Sequence, residues 1–160
     1  MANFQPLRKD THKNISLKQL DSVDDLANQH AIGIVVQEFA MAASNYPIAF
    51  IQHNESKDYF AVAIMGLEQN KNLFITEDNK WEGRYMPARY THKPLTVAKD
   101  PEKENQFAIA IDMDSSLVSE EEGQALFNKD GSETEFLVSR KEALSKYVEN
   151  EQMTKAFIAL

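Results

Sequence analysis

The stretch Ile48–Met65 reads IAFIQHNESKDYFAVAIM and decides the fold class that the sequence predicts. Two apolar runs, Ile48–Ile51 and Phe60–Met65, flank a polar loop at Gln52–Asp58, which is the pattern of a β-hairpin. Both runs carry apolar side chains on both faces of the strand. Because such a strand needs cover on two sides, we expect both strands to lie at the centre of a sheet.

The segments on either side of this hairpin add strands and one helix. Residues 1–28 are polar with scattered apolar positions, and we expect an irregular lead-in with one edge strand. His30–Val36 reads HAIGIVV, and its β-branched residues favour a strand. Gln37–Asn45 has strong helix formers and no Gly or Pro, which predicts a short helix that ends before Pro47. Beyond the hairpin, Asn72–Thr76 is predicted to be a third strand.

The C-terminal half combines a second hairpin with helices. The apolar runs Leu95–Ala98 and Phe107–Ile111 predict the hairpin. Ser119–Glu122 fits a capping box, which predicts a short helix as far as Phe127. Ser132–Glu135 fits a second capping box, and the helix that it starts extends to the chain end. Together these elements predict an α+β fold, with a mostly antiparallel sheet of five or more strands and a long C-terminal helix.

Composition limits the class of protein. A chain of 160 residues suits a single domain over 1–160, and the absence of cysteine excludes disulfides, thiolate metal sites and thiol nucleophiles. The formal net charge of −8 opposes nucleic-acid binding, because phosphate backbones are repelled. The chain has no apolar run of about 18 residues and no N-terminal signal peptide. We therefore expect no transmembrane segment and a cytoplasmic location.

The segment Trp81–Pro94 concentrates positive charge and aromatic rings in an otherwise acidic chain. Arginine guanidinium groups and aromatic rings suit a small anionic ligand, and the same residue types are enriched at protein interfaces. The alternative is a long connection whose rings pack on the sheet and whose cations pair with nearby acids. We predict that the segment binds a partner protein or a small anionic ligand through Trp81, Arg84, Tyr85, Arg89, Tyr90 and His92.

Metal binding and catalysis have weaker patterns. No two of the four histidines have a ligand spacing of two or four residues, so a metal site would need distant residues such as His12, His30 and Glu38. Asp112 and Asp114 follow a predicted strand, and they fit a turn better than a calcium loop. The sequence has no Gly-x-Ser-x-Gly elbow and no phosphate-binding glycine loop. We therefore predict no catalytic residue and no cofactor.

Short motifs along nearly the whole chain also match those of one protein family in the same order. They are Met1–Leu7 with His12, His30, Glu38–Phe39, Tyr46–Phe50, Asn72–Phe74, Trp81, Tyr85–Ala88, Asp112, Ser115, Ser119–Gly123 and Leu126–Phe127. In these motifs the chain resembles the SapC family. The resemblance implies a bacterial protein associated with surface-array (S-layer) proteins, and it implies no catalytic residues, because none is established for the family. Members of the family look longer beyond the long helix, so this chain is either a short variant or lacks a C-terminal part.

Taken together, the residues and the resemblance predict a non-enzymatic binding or accessory module of a surface-layer-related protein. Its partner would be another protein or a small anionic ligand bound at the aromatic and basic surface Trp81–Lys93. One alternative is a metal-dependent enzyme or enzyme component that uses His12, His30 and Glu38, and another is a self-assembling structural subunit. Surface association is implied by the resemblance alone, and the absence of a signal peptide predicts the cytoplasm.

Overall fold

The fold was analysed in a computed structural model, which describes residues 3–20, 23, 26–99 and 107–159. The chain forms two compact units. The first unit comprises residues 1–20 and 92–146, and the second comprises residues 21–91 and 147–160. Each unit is built from two separate chain segments and has its own hydrophobic core. Whether the chain is one cooperative domain, as its length predicts, stays a prediction.

The main sheet of the first unit has three antiparallel strands. Strand β7 (Phe107–Asp112) lies between β1 (Phe4–Pro6) and β6 (Leu95–Lys99). The predicted hairpin of β6 and β7 is confirmed, and so is the edge strand within the N-terminal lead-in. The short helix α1 (Lys9–His12) follows β1.

The short helix predicted from Ser119–Glu122 is wrong, because this part of the chain belongs to a smaller sheet in the same unit. Here β2 (Ser16–Leu17) pairs with both β8 (Val118–Ser119) and β9 (Gln124–Ala125). The Ser119 hydroxyl accepts hydrogen bonds from the N–H groups of Glu121 and Glu122, both at 3.1 Å, as a helix cap would. The chain then turns back into β9 because pairing with β2 satisfies its backbone instead.

Gly123 is the residue that permits this reversal. Its φ of +107° is a conformation that other residues rarely adopt, and a Cβ there would lie 2.3 Å from the carbonyl oxygen of Leu17. The backbone can therefore pass close over β2 only where no side chain intervenes.

The predicted long C-terminal helix is confirmed as α4 (Glu135–Ile158). Its cap, however, is Thr134, whose hydroxyl accepts the Leu137 N–H at 3.2 Å. The Ser132 hydroxyl instead donates to Asp130 Oδ1 at 2.6 Å, which lowers the pKa of that carboxyl. The helix contributes Leu137 and Leu144 to the core of the first unit. The other buried members of that core are Ile15, Leu17, Leu95, Ile111, Leu126 and Phe127.

The sheet of the second unit has the order β3-β5-β4, again antiparallel. Its strands are β3 (Ala31–Gly33), β4 (Ile48–Gln52) and β5 (Tyr59–Ile64). The predicted hairpin of β4 and β5 is confirmed, and β5 is central as expected. The central place predicted for β4 is wrong, because β4 forms an edge of the sheet and Phe50 is 52% exposed.

The remaining elements of the second unit are short. A single 3₁₀ turn (Val36–Glu38) leads into α2 (Phe39–Ala43), which confirms the predicted helix, and α3 covers Ala88–Thr91. The predicted strand Asn72–Thr76 is wrong. The Asn72 side chain accepts the Phe74 N–H at 2.9 Å and donates to the Leu26 carbonyl at 3.2 Å, so this stretch turns locally.

The fold is thus α+β with a long C-terminal helix, as predicted. The single sheet of five or more strands is wrong, because the described residues form three antiparallel sheets of three strands each. In the part of the chain that the structure describes, no helix combines the length and the apolar character needed to cross a membrane.

Candidate functional site

The carboxylate of Glu38 organises the centre of the second unit. Glu38 is 5% exposed, and it accepts hydrogen bonds from the Tyr85 hydroxyl at 2.5 Å, the Ala88 N–H at 2.8 Å and the Val35 N–H at 3.0 Å. A buried carboxylate needs such donors to offset the loss of water. Glu38, predicted as a candidate metal ligand, therefore joins the 3₁₀ turn to the basic and aromatic segment.

Tyr85 acts in this network as a protonated donor. Burial and the hydrogen bond to Glu38 both raise the pKa of Tyr85, since ionisation would place a phenolate beside a carboxylate. The Tyr85 backbone carbonyl in turn accepts a hydrogen bond from the Tyr46 hydroxyl. Tyr85 is thus held at both its side chain and its backbone.

The other aromatic side chains of the predicted site attach the segment to the core of the second unit. Trp81 packs against this core, with its ring centroid 6.3 Å from that of Tyr46. Tyr90 is 3% exposed, and its hydroxyl donates to Oε1 of Gln29. These rings therefore serve mainly to position the segment, and they offer a ligand little accessible surface.

The arginines of the segment remain exposed. Arg84 and Arg89 both lie at the surface, and Arg89 also lines a pocket of about 200 Å³. The pocket lies wholly within the second unit. Its lining residues come from β3 and the residues after it, from β5, from α3 and from the last turns of α4. They are Gly33, Ile34, Val35, Tyr59, Phe60, Ala61, Arg89, Tyr147, Glu151, Thr154, Lys155 and Ile158.

Gly33 gives the Arg89 guanidinium its place beside β3. A Cβ at position 33 would lie 3.1 Å from Nη1 of Arg89, which is closer than side chains normally pack. The absence of a side chain at Gly33 therefore lets the guanidinium approach the strand backbone closely.

One side of the pocket is formed by α4, and Thr154 attaches this helix to the 3₁₀ turn. The Thr154 hydroxyl accepts the Val36 N–H at 2.8 Å and donates to the Asn150 carbonyl at 2.7 Å. One and two turns earlier along the same face are Glu151 and Tyr147. Burial raises the pKa of Tyr147, Glu151 raises it further, and Arg89 opposes the shift. Tyr147 is thus neutral at physiological pH.

The charges that line the pocket are not paired with one another. Arg89 and Lys155 are cationic and Glu151 is anionic, which leaves one excess positive charge. Within the described residues, neither Arg89 nor Lys155 forms an ion pair. A guanidinium without a carboxylate partner beside an apolar floor is a suitable group to receive an anion.

The other predicted site residues lie elsewhere. His92 belongs to the first unit and is buried there. His12, also in the first unit, is buried, and its Nδ1 accepts the Arg8 N–H at 3.1 Å. His30 is half-buried in the second unit. Among the described residues, no three His, Asp or Glu side chains stand close enough to hold a metal ion.

Asp112 and Asp114 form a turn at the end of β7. Oδ1 of Asp112 accepts the Asp114 N–H at 3.2 Å and the Asn3 N–H at 2.8 Å. These bonds join the turn to β1, the neighbouring strand, which is the commoner role of acids in this position.

Most of the pocket residues were not recognised from the sequence. Among the lining residues, the sequence patterns predict only Arg89 as a binding residue, and not Gly33, Thr154 or Lys155. The spacing of Tyr147, Glu151 and Lys155 at four-residue intervals places them on one helix face, which was the available signal. That spacing alone does not show that the face borders a cavity.

The comparison with protein families identifies the chain. The SapC family model matches residues 7–160, so the chain belongs to the SapC family. No curated protein and no solved structure matches it. The family resemblance seen in the sequence motifs is thereby confirmed.

Proposed function

We propose that this SapC-family protein is a non-enzymatic binding module that holds a small anionic ligand in the pocket of its second unit. Arg89 is the principal contact with the anion. The observation that carries the proposal is the Arg89 guanidinium, which forms no ion pair with a described residue and lines a pocket with one excess positive charge. Arg89 belongs to the segment in which the sequence concentrates cations and rings.

The other members of the predicted site support this role indirectly. Tyr85 and Glu38 are hydrogen-bonded to each other, and Ala88 N–H bonds to the same carboxylate at the start of α3, which contains Arg89. A binding residue works best on a support whose own hydrogen bonds are complete. The function of the Glu38 network is therefore to position Arg89.

A matched pair of arginine variants tests the proposal. The full chain is titrated with acetate, benzoate and inorganic phosphate while the backbone amide signals of Gly33 and Thr154 are followed by NMR. Arg89→Ala is expected to weaken binding by roughly tenfold or more, because a charge-assisted hydrogen bond contributes about 1.5–3 kcal/mol.

Arg84→Ala is the control, since Arg84 is also exposed but does not line the pocket. It should leave the affinity within about twofold. Failure of every anion to bind, or equal losses in the two variants, would contradict the proposal.

The partner-protein and surface-layer parts of the prediction remain part of the proposal. They rest on the residue types of the segment and on the family resemblance. Fractionation of cells that produce the protein at native level is the direct measurement of a surface association.

A further inference from the structure

The pocket has an apolar floor that an inorganic anion would leave unused. Ile34, Val35 and Ala61 are buried beneath it, and Phe60 and Ile158 border it. These side chains offer no hydrogen bond. A ligand that fills the pocket therefore gains from an apolar body, because apolar surface removed from water contributes to affinity.

The size of the pocket limits the size of the apolar part of the ligand. Its volume is about 200 Å³, and a water-sized group occupies roughly 30 Å³, so the pocket holds about seven non-hydrogen atoms. This is below the usual range for cofactor sites, which is roughly 300–1,000 Å³. Nucleotides and folded peptides are too large for it.

The charges that line the pocket limit the charge of the ligand's polar head group. With Arg89 and Lys155 opposed by Glu151, the lining matches one negative charge. A monoanion would leave the pocket and ligand together without net charge, whereas a dianion would leave a net charge of −1. The planar guanidinium fork of Arg89 matches the two oxygens of a carboxylate.

Resting on the proposed function, we infer that the ligand is a small amphiphilic monocarboxylate. Its carboxylate lies on Arg89 and its apolar tail of about five carbons lies on the floor formed by Ile34, Val35 and Ala61. Lys155 borders the head group, and Ile158 borders the tail.

A chain-length series tests the inference. The full chain is titrated by calorimetry with acetate, butyrate, hexanoate and octanoate. We expect affinity to rise by roughly threefold to fourfold for each added methylene up to hexanoate, as burial of a CH₂ group predicts, and then to level off. Hexanamide, which has the same tail without the charge, should bind at least about tenfold more weakly than hexanoate.

A tail variant separates this inference from the proposed function. Ile158→Asn should flatten the chain-length dependence, so that the ratio of hexanoate affinity to acetate affinity falls, because the variant removes part of the apolar border of the pocket. If Ile158→Asn does not fold, as judged by circular dichroism, Phe60→Ser at the exposed border of the pocket takes its place.

The possible failures are distinguishable. If acetate or phosphate binds as tightly as hexanoate, and Arg89→Ala still abolishes that binding, the monocarboxylate inference is overturned and the anion-binding function stands. If phosphate binds through Arg89 and no carboxylate does, only the inference is overturned. If neither phosphate nor any carboxylate binds, or if Arg89→Ala has no effect on the binding of any of these anions, both are overturned. A rise in affinity with chain length that Ile158→Asn and Phe60→Ser leave intact would place the tail outside this pocket and overturn the inference.

Discussion

Glu38 illustrates how one buried side chain can set the geometry of a whole segment. Its carboxylate receives three hydrogen bonds, two of them from residues about fifty positions further along the chain. A buried carboxylate that loses a donor keeps its desolvation cost without compensation. The network therefore has consequences for stability as well as for the position of Arg89.

At the residue scale we expect Tyr85→Phe to lower the free energy of unfolding by about 1–3 kcal/mol, because the buried Glu38 carboxylate loses a donor. Urea unfolding at pH 7 measures the change. Tyr59→Phe is the control, since Tyr59 is exposed on β5, and it should change the unfolding free energy by less than about 0.5 kcal/mol. Equal effects of the two variants would show that the hydrogen bond to Glu38 does not matter.

The pH dependence of the unfolding free energy at alkaline pH provides a second measurement of the hydrogen bond between Tyr85 and Glu38. The raised pKa of Tyr85 means that the folded protein keeps this proton to a higher pH than the unfolded chain. The contribution of Tyr85 to the unfolding free energy is complete below its pKa in the unfolded chain, about 10. It is lost as the pH rises toward its pKa in the folded protein.

The unfolding free energy should therefore fall above about pH 10, and fall less steeply in Tyr85→Phe. Tyr46 and Tyr147, whose pKa values burial also raises, contribute to the remaining slope in the same direction. If the unfolding free energy falls equally steeply with pH in the wild type and in Tyr85→Phe, Tyr85 does not contribute to this pH dependence.

At the scale of secondary-structure elements, the start of α4 shows how the structure selects one of two nearby residues as the helix cap. Ser132 and Thr134 are both suitable caps, and each has an acid nearby. Ser132 is engaged by Asp130, and its carbonyl accepts the Asn128 N–H at 2.8 Å, so it belongs to the preceding turn. Thr134 both caps the helix and donates to the Ala125 carbonyl of β9 at 2.8 Å.

We expect Thr134→Ala to lower the free energy of unfolding by about 0.5–2 kcal/mol, the usual cost of a lost N-cap. Ser132→Ala is the matched variant, and it should cost less than about 0.5 kcal/mol, because its hydrogen bond to Asp130 is exposed. Thermal or urea unfolding of both proteins compares them. A larger loss for Ser132→Ala would mean that the cap lies where the sequence pattern first placed it.

The errors in element prediction share one cause, which is the pairing of segments that are distant in the chain. Ser119 makes the local bonds of a helix cap, yet the next residues form β9 because β2 is available as a partner. Strand β4 has the apolar pattern of a central strand, yet it lies at an edge. Local patterns describe what a segment can form, and its partners decide which form it takes.

At the scale of the whole molecule, the two compact units are each assembled from non-contiguous segments. The chain passes between them after residues 20, 91 and 146, and the last of these positions lies inside α4. Neither unit can be completed by one continuous piece of chain. We therefore expect a single cooperative unfolding transition for the 160-residue protein, as its length predicts.

Two local probes measure whether the units unfold together. Trp81 fluorescence reports on the second unit, and the ring proton signals of His12 report on the first. Both should give the same urea midpoint and the same dependence on denaturant. Midpoints that differ beyond error would show that the units unfold separately and would contradict the single-domain prediction.

The sequence by itself determined the family, the α+β class, the hairpins at Ile48–Met65 and at β6–β7, helix α2 and helix α4, because residue periodicity and β-branched or helix-forming composition act locally. It also singled out Arg89 through the concentration of cations and rings around it. Only the tertiary structure decided that Glu38 supports Tyr85, and that Gly33, Thr154 and Lys155 surround one pocket with Arg89. Glu38 and Tyr85 are tens of positions apart, and so are Gly33, Arg89 and the pair Thr154–Lys155. Their proximity depends on strand pairing and helix packing, which no local pattern encodes.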